Sequence, residues 1–262
     1  MPNLALQLGE KFGRLMNYGD GLYGGQFVSG MYTEAFFEKD PLKIVEVGLK
    51  CIPAASQYAE CIRDTIRWHE ENPDHWQKAW EKIEAKYQDN PAYRKFSCDQ
   101  GEFNIDAKIN GAYIVMGLLY GQGEMDRTIV VSTRCGQDSD CNPANSGGIL
   151  GTVIGRSKLP GKFTSAIDPD GKFSHTPYTF PALVEVSTQL ARQAVVRSGG
   201  RIEKDAAGRE VLALPIQEPN PGPLEQCWEP RPEAGSKYTP AEMKQITMAS
   251  AEQEVQVAVD LD

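Results

Sequence analysis

Histidine is scarce in this chain, at three in 262 residues, and no two cysteines stand in a Cys-x-x-Cys spacing. Both absences argue against a structural zinc site, which needs four thiolate or imidazole ligands at close intervals. The six cysteines, at 51, 61, 98, 135, 141 and 227, are scattered. That is the pattern of small buried hydrophobes rather than of a disulfide framework, and it points to a reducing, cytoplasmic setting. No apolar run reaches the roughly 18 residues of a membrane-spanning helix. The opening residues, MPNLALQLGEK, have neither the basic start nor the apolar stretch of a signal peptide. Positive charge is in deficit too, with 27 basic against 36 acidic residues and a net charge of −9. Such a chain has no general attraction for nucleic-acid backbones or anionic membranes.

What is present is a large apolar complement, 40% of residues, enough for one large domain or a domain with an appendage. The acidity is uneven: residues 201–262 hold 12 acidic and 6 basic side chains, a net of −6, leaving −3 for the first 200. Seven of the 17 prolines also fall after residue 200. The expected division is therefore a helical domain over 1–200 and a Pro-rich, acidic tail over 201–262. In the tail, Val211–Ile216 can form a strand of a small hairpin turning at Ala206–Gly208, and 219–238 reads as a linker. Helices are expected from Leu4 to Met16, across Phe27–Phe36, after Asp40-Pro41, over 56–68 and 74–87, and, as the main core helix, over 103–120. Shorter ones follow at 126–133 and 143–155, and a long one at 178–198 closes on Gly199-Gly200. The fold class read from this is all-α, a multi-helix bundle with a small irregular or β appendage.

The most informative segment is Cys135-Gly-Gln-Asp-Ser-Asp-Cys-Asn-Pro-Ala-Asn-Ser-Gly-Gly148. Asn142-Pro143 reads as N-cap and first helical residue, which puts Asp138 and Asp140 in the loop just before a helix. Two converging carboxylates repel, and a hard divalent cation such as Mg²⁺, Mn²⁺ or Ca²⁺ relieves that repulsion. An EF-hand is excluded, because the sixth and twelfth loop positions would be Pro143 and Ile149 instead of Gly and Glu. The plainer alternative is that both aspartates answer the positive end of the helix. Gly147, Gly151 and Gly155 lie four apart, which predicts a close approach to another helix, with 103–120 as the expected partner.

These residues resemble the signature of the ADP-ribosylglycohydrolase family, a Gly-x-Asp-Thr-Asp-Thr/Ser loop followed by a helix rich in small residues. The run GEMDRTIVVSTRCGQDSD resembles the stretch leading into that loop. The segments NYGDGLYGGQFVSGMYTEAF and IPAASQYAECIRDTIRW are similar to a region of the larger bacterial members. The resemblance implies an all-α fold and two Mg²⁺ or Mn²⁺ ions beside the substrate ribose. It implies hydrolysis of an ADP-ribosyl N- or O-glycosidic bond through an oxocarbenium-like transition state. It makes an ADP-ribosylated protein or an ADP-ribose-like small molecule the partner. Carried over by position, Asp138 and Asp140 are metal ligands, and Cys141 stands where the family has Thr or Ser. A neutral thiol is a poor Mg²⁺ ligand and suits softer ions better. Tyr18, Gly19, Asp20, Gly21 and Tyr23 are candidates for a loop lining the ADP-ribose pocket, the alternative being an ordinary helix-to-helix turn.

The family's other metal ligands come from an upstream Thr-Asp-Asp-Thr, and the sequence has none. Gly19-Asp20-Gly21 lies 118 residues before Asp138 without an acidic pair after it. The expectation is a chain that begins inside the family pattern and carries half of the binuclear site, for one ion or none, with no residue assigned as catalytic. A non-catalytic ADP-ribose- or nucleotide-binding protein, or a structural member, is the alternative to a hydrolase. His69 and His75 read as surface or capping residues, and His175 as a loop residue.

Overall fold

The computed structural model of the protein describes residues 1–94, 102, 105–225, 240, 241 and 244. Residues 1–225 form one compact unit and 226–262 a second, in which Pro240, Ala241 and Lys244 are helical. Cys98, Phe103, Cys227, the part of the expected linker after Glu225 and nearly all of the last 20 residues lie outside the described residues.

The first unit is all-α with one small sheet. Its helices are α1 (Pro2–Gly13), α2 (Asp20–Glu34), α3 (Pro41–Lys50), α4 (Gln57–Glu71), α5 (Trp76–Ile83), α6 (Pro91–Arg94), α7 (Ala107–Gly121), α8 (Met125–Arg134), α9 (Cys141–Ile154) and α10 (Phe180–Arg197). Local chemistry sets several starts. Asp40 caps α3 by accepting from the Leu42 N–H at 3.0 Å, and Ser56 caps α4 through the Ala59 N–H at 3.1 Å. The helix expected over 74–87 is split, with a π-helical turn, Glu84–Gln88, following α5.

The architecture centres on α7, whose residues are buried continuously from Lys108 to Gly121. A helix apolar on all sides has to be surrounded, and α2, α3, α4, α5, α8 and α9 pack around it. One core cluster joins Phe27, Met31, Ile44, Tyr58 and Ile62 to Val115, Leu118, Ile149 and Leu150. The other joins Trp68, Ile83, Tyr87, Tyr113, Met116, Tyr120 and Val131. Three glycines of α7 permit the approach of its neighbours. A Cβ at Gly111 would lie 2.1 Å from the Tyr58 hydroxyl, one at Gly121 would lie 1.9 Å from Thr128 Oγ1, and one at Gly117 would lie 2.7 Å from Ser132 Cβ.

Several expectations change at this point. The close contacts expected of the Gly147/Gly151/Gly155 stripe are made by other glycines, Gly111, Gly117 and Gly121 of α7 among them. Gly147 and Gly151 face Met125, Ile129 and Leu159 at ordinary distances, while Gly155 is the C-cap of α9 at φ +79°. On α9 the tight position is Gly148, against the Tyr32 hydroxyl. Ile105, within the core helix expected over 103–120, precedes α7 and is exposed. In α1 only Leu6 is buried, and Leu8, Phe12, Leu15 and Met16 are exposed. Phe36 likewise lies past the end of α2 and faces solvent.

In the C-terminal part, α10 runs from a Thr179 cap to Ser198 and Gly199, which turns the chain at φ +81°. It is followed by the antiparallel hairpin β1 (Arg201–Lys204) and β2 (Glu210–Ala213), with Gly208 at φ +77° in its turn. Residues 218–225 then fold back onto α1 and α2. Asn3 donates to the Glu218 carbonyl and accepts from the Asn220 N–H, at 3.0 and 2.9 Å. The Tyr23 hydroxyl accepts from the Glu225 N–H at 2.7 Å and donates to the Pro223 carbonyl at 3.5 Å. Among the described residues no helix is long and apolar enough to cross a membrane.

Candidate metal centre

After α8 the chain reverses in two residues, Gly136 at φ +92° and Gln137 at φ +56°. The second is a left-handed position that a non-glycine side chain takes at a cost. Its amide answers that cost in part, donating to the Glu102 carbonyl at 3.3 Å. The reversal delivers Asp138 to the start of α9. There Asp138 Oδ1 accepts from the Cys141 N–H at 3.2 Å, and the Asp138 carbonyl accepts from the Asn142 N–H at 3.1 Å.

The helix begins two residues earlier than its Asn-Pro pair suggests. Asp140 is the N-cap, without a side-chain cap bond, and Pro143 is third in the helix, still within the turn where its missing N–H leaves no gap in the hydrogen-bond ladder. The Asn142 side chain points instead into the core, where its Nδ2 donates to Asn110 Oδ1 at 2.8 Å.

Asp138, Asp140 and Cys141 come together as the loop geometry requires. One ligand atom from each lies within 4.8 Å of the others, with Asp138 half-buried and the other two exposed. A cation with bonds of roughly 2.0–2.5 Å spans such a set. The donors are unequal, however. Hydrogen bonding to Asp138, then backbone N–H groups, holds the Asp140 carboxyl below the usual carboxylate range. The Asp138 hydrogen bond and its charge push the Cys141 thiol up. The carboxylate oxygens fit a hard ion, and a thiol is a poorer ligand for one. Asp138 also serves the helix start with one oxygen, so the two readings of the acidic loop are compatible in this geometry.

The glycine loop lies at the N-terminus of α2. Gly19 is the N-cap at φ +57°, and its N–H donates to Glu225 Oε2 at 2.9 Å. The same carboxylate pairs with Arg14. Burial works against the Glu225 charge, but the bonds from Arg14 and Gly19 outweigh it and hold the carboxyl below its ordinary value. Tyr23 is buried under the returning tail, Tyr18 is partly exposed, and Gly21 packs on the Asn17 side chain. Asp20 is buried; it accepts from the Tyr58 N–H at 3.2 Å and faces Lys108 Nζ at 3.7 Å.

The residues that sequence reasoning missed lie on the first turn of α7. Asp106 caps that helix, accepting from the Lys108 N–H, and pairs with Lys108 Nζ at 2.9 Å. Burial opposes the Lys108 charge, but Asp106 and then Asp20 outweigh it and hold the ammonium above its usual value. Burial instead dominates at Asp20 and raises its carboxyl. The two shifts differ because the ammonium sits closer to Asp106, which leaves Asp20 the less compensated partner. One turn on, Asn110 reaches the acidic loop. The signal for this trio was in the sequence: three polar side chains inside an otherwise apolar helix, where a buried polar group needs a partner.

The histidines stand apart from these groups. His69 packs edge-on to Tyr120 at 4.7 Å and is lowered by burial, and His75 is the N-cap residue of α5. Cys51, Cys61 and Cys135 are buried free thiols, and Cys141 is an exposed one.

Comparison with known proteins gives one match. A sequence model of the ADP-ribosylglycohydrolase family aligns with residues 1–199, while no curated protein and no solved structure matches the chain. The aligned region takes in the glycine loop, α7 and the acidic loop alike, and the chain belongs to the ADP-ribosylglycohydrolase family.

Proposed function

We propose that the chain supplies the Asp138–Cys141 half of a divalent-cation centre to a hydrolase of ADP-ribosyl N- or O-glycosidic bonds. Family membership supports glycohydrolase-type activity on ADP-ribosylated substrates, and the family is typically metal-dependent. The observation that carries the reading is the convergence of Asp138, Asp140 and Cys141 within 4.8 Å at the head of a helix held against the central α7. Asp138 and Asp140 would hold Mg²⁺ or Mn²⁺. Cys141, in the place of a hydroxyl, would leave one position to water or tilt the preference toward Mn²⁺.

When bound, the cation supplies positive charge to fix and polarise ribose hydroxyls. The chain's own contribution is positional. Asp138 and Asp140 present acceptor oxygens from a loop fixed at both ends, so little reorganisation is needed when the sugar arrives. In the glycine loop, Asp20 and the Tyr23 hydroxyl are engaged within the protein. The exposed part of the Tyr18 ring and the backbone of Gly19 and Gly21 would be the groups of this loop to contact an ADP-ribose moiety, with Glu225 giving up the Gly19 N–H.

A second reading, binding of ADP-ribose without turnover, is favoured by Cys141, a thiol where the family has a hydroxyl. Titration calorimetry with Mn²⁺ and Mg²⁺ tests the centre. The Asp138→Asn, Asp140→Asn double variant is expected to lose the binding seen in the wild type, and equal binding by the two proteins sinks the metal reading. Release of free ADP-ribose from an ADP-ribosylated peptide then separates hydrolase from binder.

A further inference from the structure

Asn110 is buried on α7, distant in sequence from the acidic loop, yet its side chain reaches both flanks of that loop. Its Oδ1 accepts from the backbone N–H of Asp138 at 3.1 Å and from Asn142 Nδ2 at 2.8 Å. Its Nδ2 donates to the carbonyl of Asp106, the N-cap residue of the same helix, at 3.1 Å. One amide thus ties Asp138, the first of the three candidate ligands, and Asn142, the residue after the last, to a single point on the continuously buried α7.

The loop needs such a tie. It carries two carboxylates that repel each other when both are ionised, and it is entered through Gly136 and Gln137 at positive φ. Left alone, the carboxylates would relax apart and the Gln137 backbone would move toward a commoner conformation. Asp138 Oδ1 bonding to the Cys141 N–H holds the loop only to itself. Asn110, with the Gln137–Glu102 contact at its entry, holds it to the body of the protein.

We infer that Asn110 is the positioning residue of the Asp138–Cys141 loop, setting how well that loop binds a divalent cation without touching the cation itself. The inference rests on the metal reading above. The amide is suited to the task because its Oδ1 is a fixed acceptor for both donors. An aliphatic residue would leave the Asp138 N–H and the buried Asn142 Nδ2 without that acceptor.

Mn²⁺ affinity by calorimetry and backbone amide exchange in metal-free protein make the test, on wild type, Asn110→Ala and Asn110→Asp. Loss of a partner that orients metal ligands commonly weakens metal binding by about 10–100-fold. Asn110→Ala is expected to fall in that range and to speed exchange at the Asp138 amide. Asn110→Asp keeps the acceptor for both donors and is expected to stay within about fivefold of wild type, a rescue that follows from positioning. A purely structural role would lower the melting temperature of both variants and leave the Mn²⁺ affinity of the folded protein unchanged. The inference is overturned if Asn110→Ala binds Mn²⁺ within about fivefold of wild type, or if Asn110→Asp loses more than that. Should Asn110→Ala not fold, Asn110→Ser, too short to reach both donors, is judged by the same threshold. Wild type that binds no Mn²⁺ refutes the metal reading instead. In that case unchanged exchange at the Asp138 amide in Asn110→Ala or Asn110→Ser also overturns the tie, and faster exchange upholds it.

Discussion

Replacing Lys108 by methionine removes the cation that, among the described residues, pairs with buried Asp20 and Asp106, while keeping the length and packing of the side chain. Lys108, Asp20 and Asp106 have side chains only 7%, 10% and 11% exposed. Deleting one partner of a buried ion pair costs about 3–5 kcal/mol, because the charge left behind has lost both water and counter-ion. Two features place this case at the lower end. Asp106 still caps α7 through the Lys108 backbone N–H, and Asp20 still accepts from the Tyr58 N–H at the N-terminus of α2. We therefore expect a loss of about 3 kcal/mol. At about 2–4 °C per kcal/mol for a unit of this size, that is a fall in Tm of roughly 6–12 °C. Asp20 is the less compensated carboxylate, so Asp20→Asn added to Lys108→Met should recover about half of the loss. Urea unfolding at neutral pH followed by circular dichroism measures both quantities. The reasoning is refuted if Lys108→Met costs less than about 1 kcal/mol, or if the double variant is no more stable than the single one.

Two further expectations concern stability. A Cβ at Gly111 would lie 2.1 Å from the hydroxyl of fully buried Tyr58, whereas one at Gly25 would meet nothing within 4 Å. Gly111→Ala should therefore lower stability by about 1–3 kcal/mol through overpacking, and Gly25→Ala, in mid-helix, should raise it by about 0.5–1 kcal/mol; thermal melts of the two variants must move in opposite directions. Burial, with the nearby Asp89 charge, pushes the Glu84 carboxyl up to about 7, beside the Tyr113 hydroxyl that donates to it. A carboxyl whose folded pKa is raised favours the native state when protonated, so its contribution is present at low pH and is lost as pH rises through the window from 4.5 to about 7. Glu84→Gln should remove that downward slope from the urea midpoint over the window, and an unchanged slope would refute the assignment.

Much of the fold could be read from local sequence. The Asp40-Pro41 and Ser56 starts, the apolar run of α7 from Gly111 onward, the Gly199 stop and the Gly208 hairpin turn are decided within a few residues by backbone chemistry, and each stands where the sequence placed it. The acidic loop was legible in the same way, since Asp138 and Asp140 at the head of a helix are a short-range pattern. Faces and partners were not. The Gly147/Gly151/Gly155 stripe has periodicity but no information on what lies opposite, and it met neighbours other than the helix expected. Nor could spacing show that Asn142 turns inward to Asn110, that Lys108 lies between Asp20 and Asp106, or that Glu225 closes on Gly19 from 206 residues away. The sequence by itself determined the helices, the family and the carboxylate pair, because those depend on residues near one another in the chain. Tertiary structure alone decided what holds that pair in place, because buried hydrogen bonds and ion pairs between distant segments exist only once α7 has been enclosed.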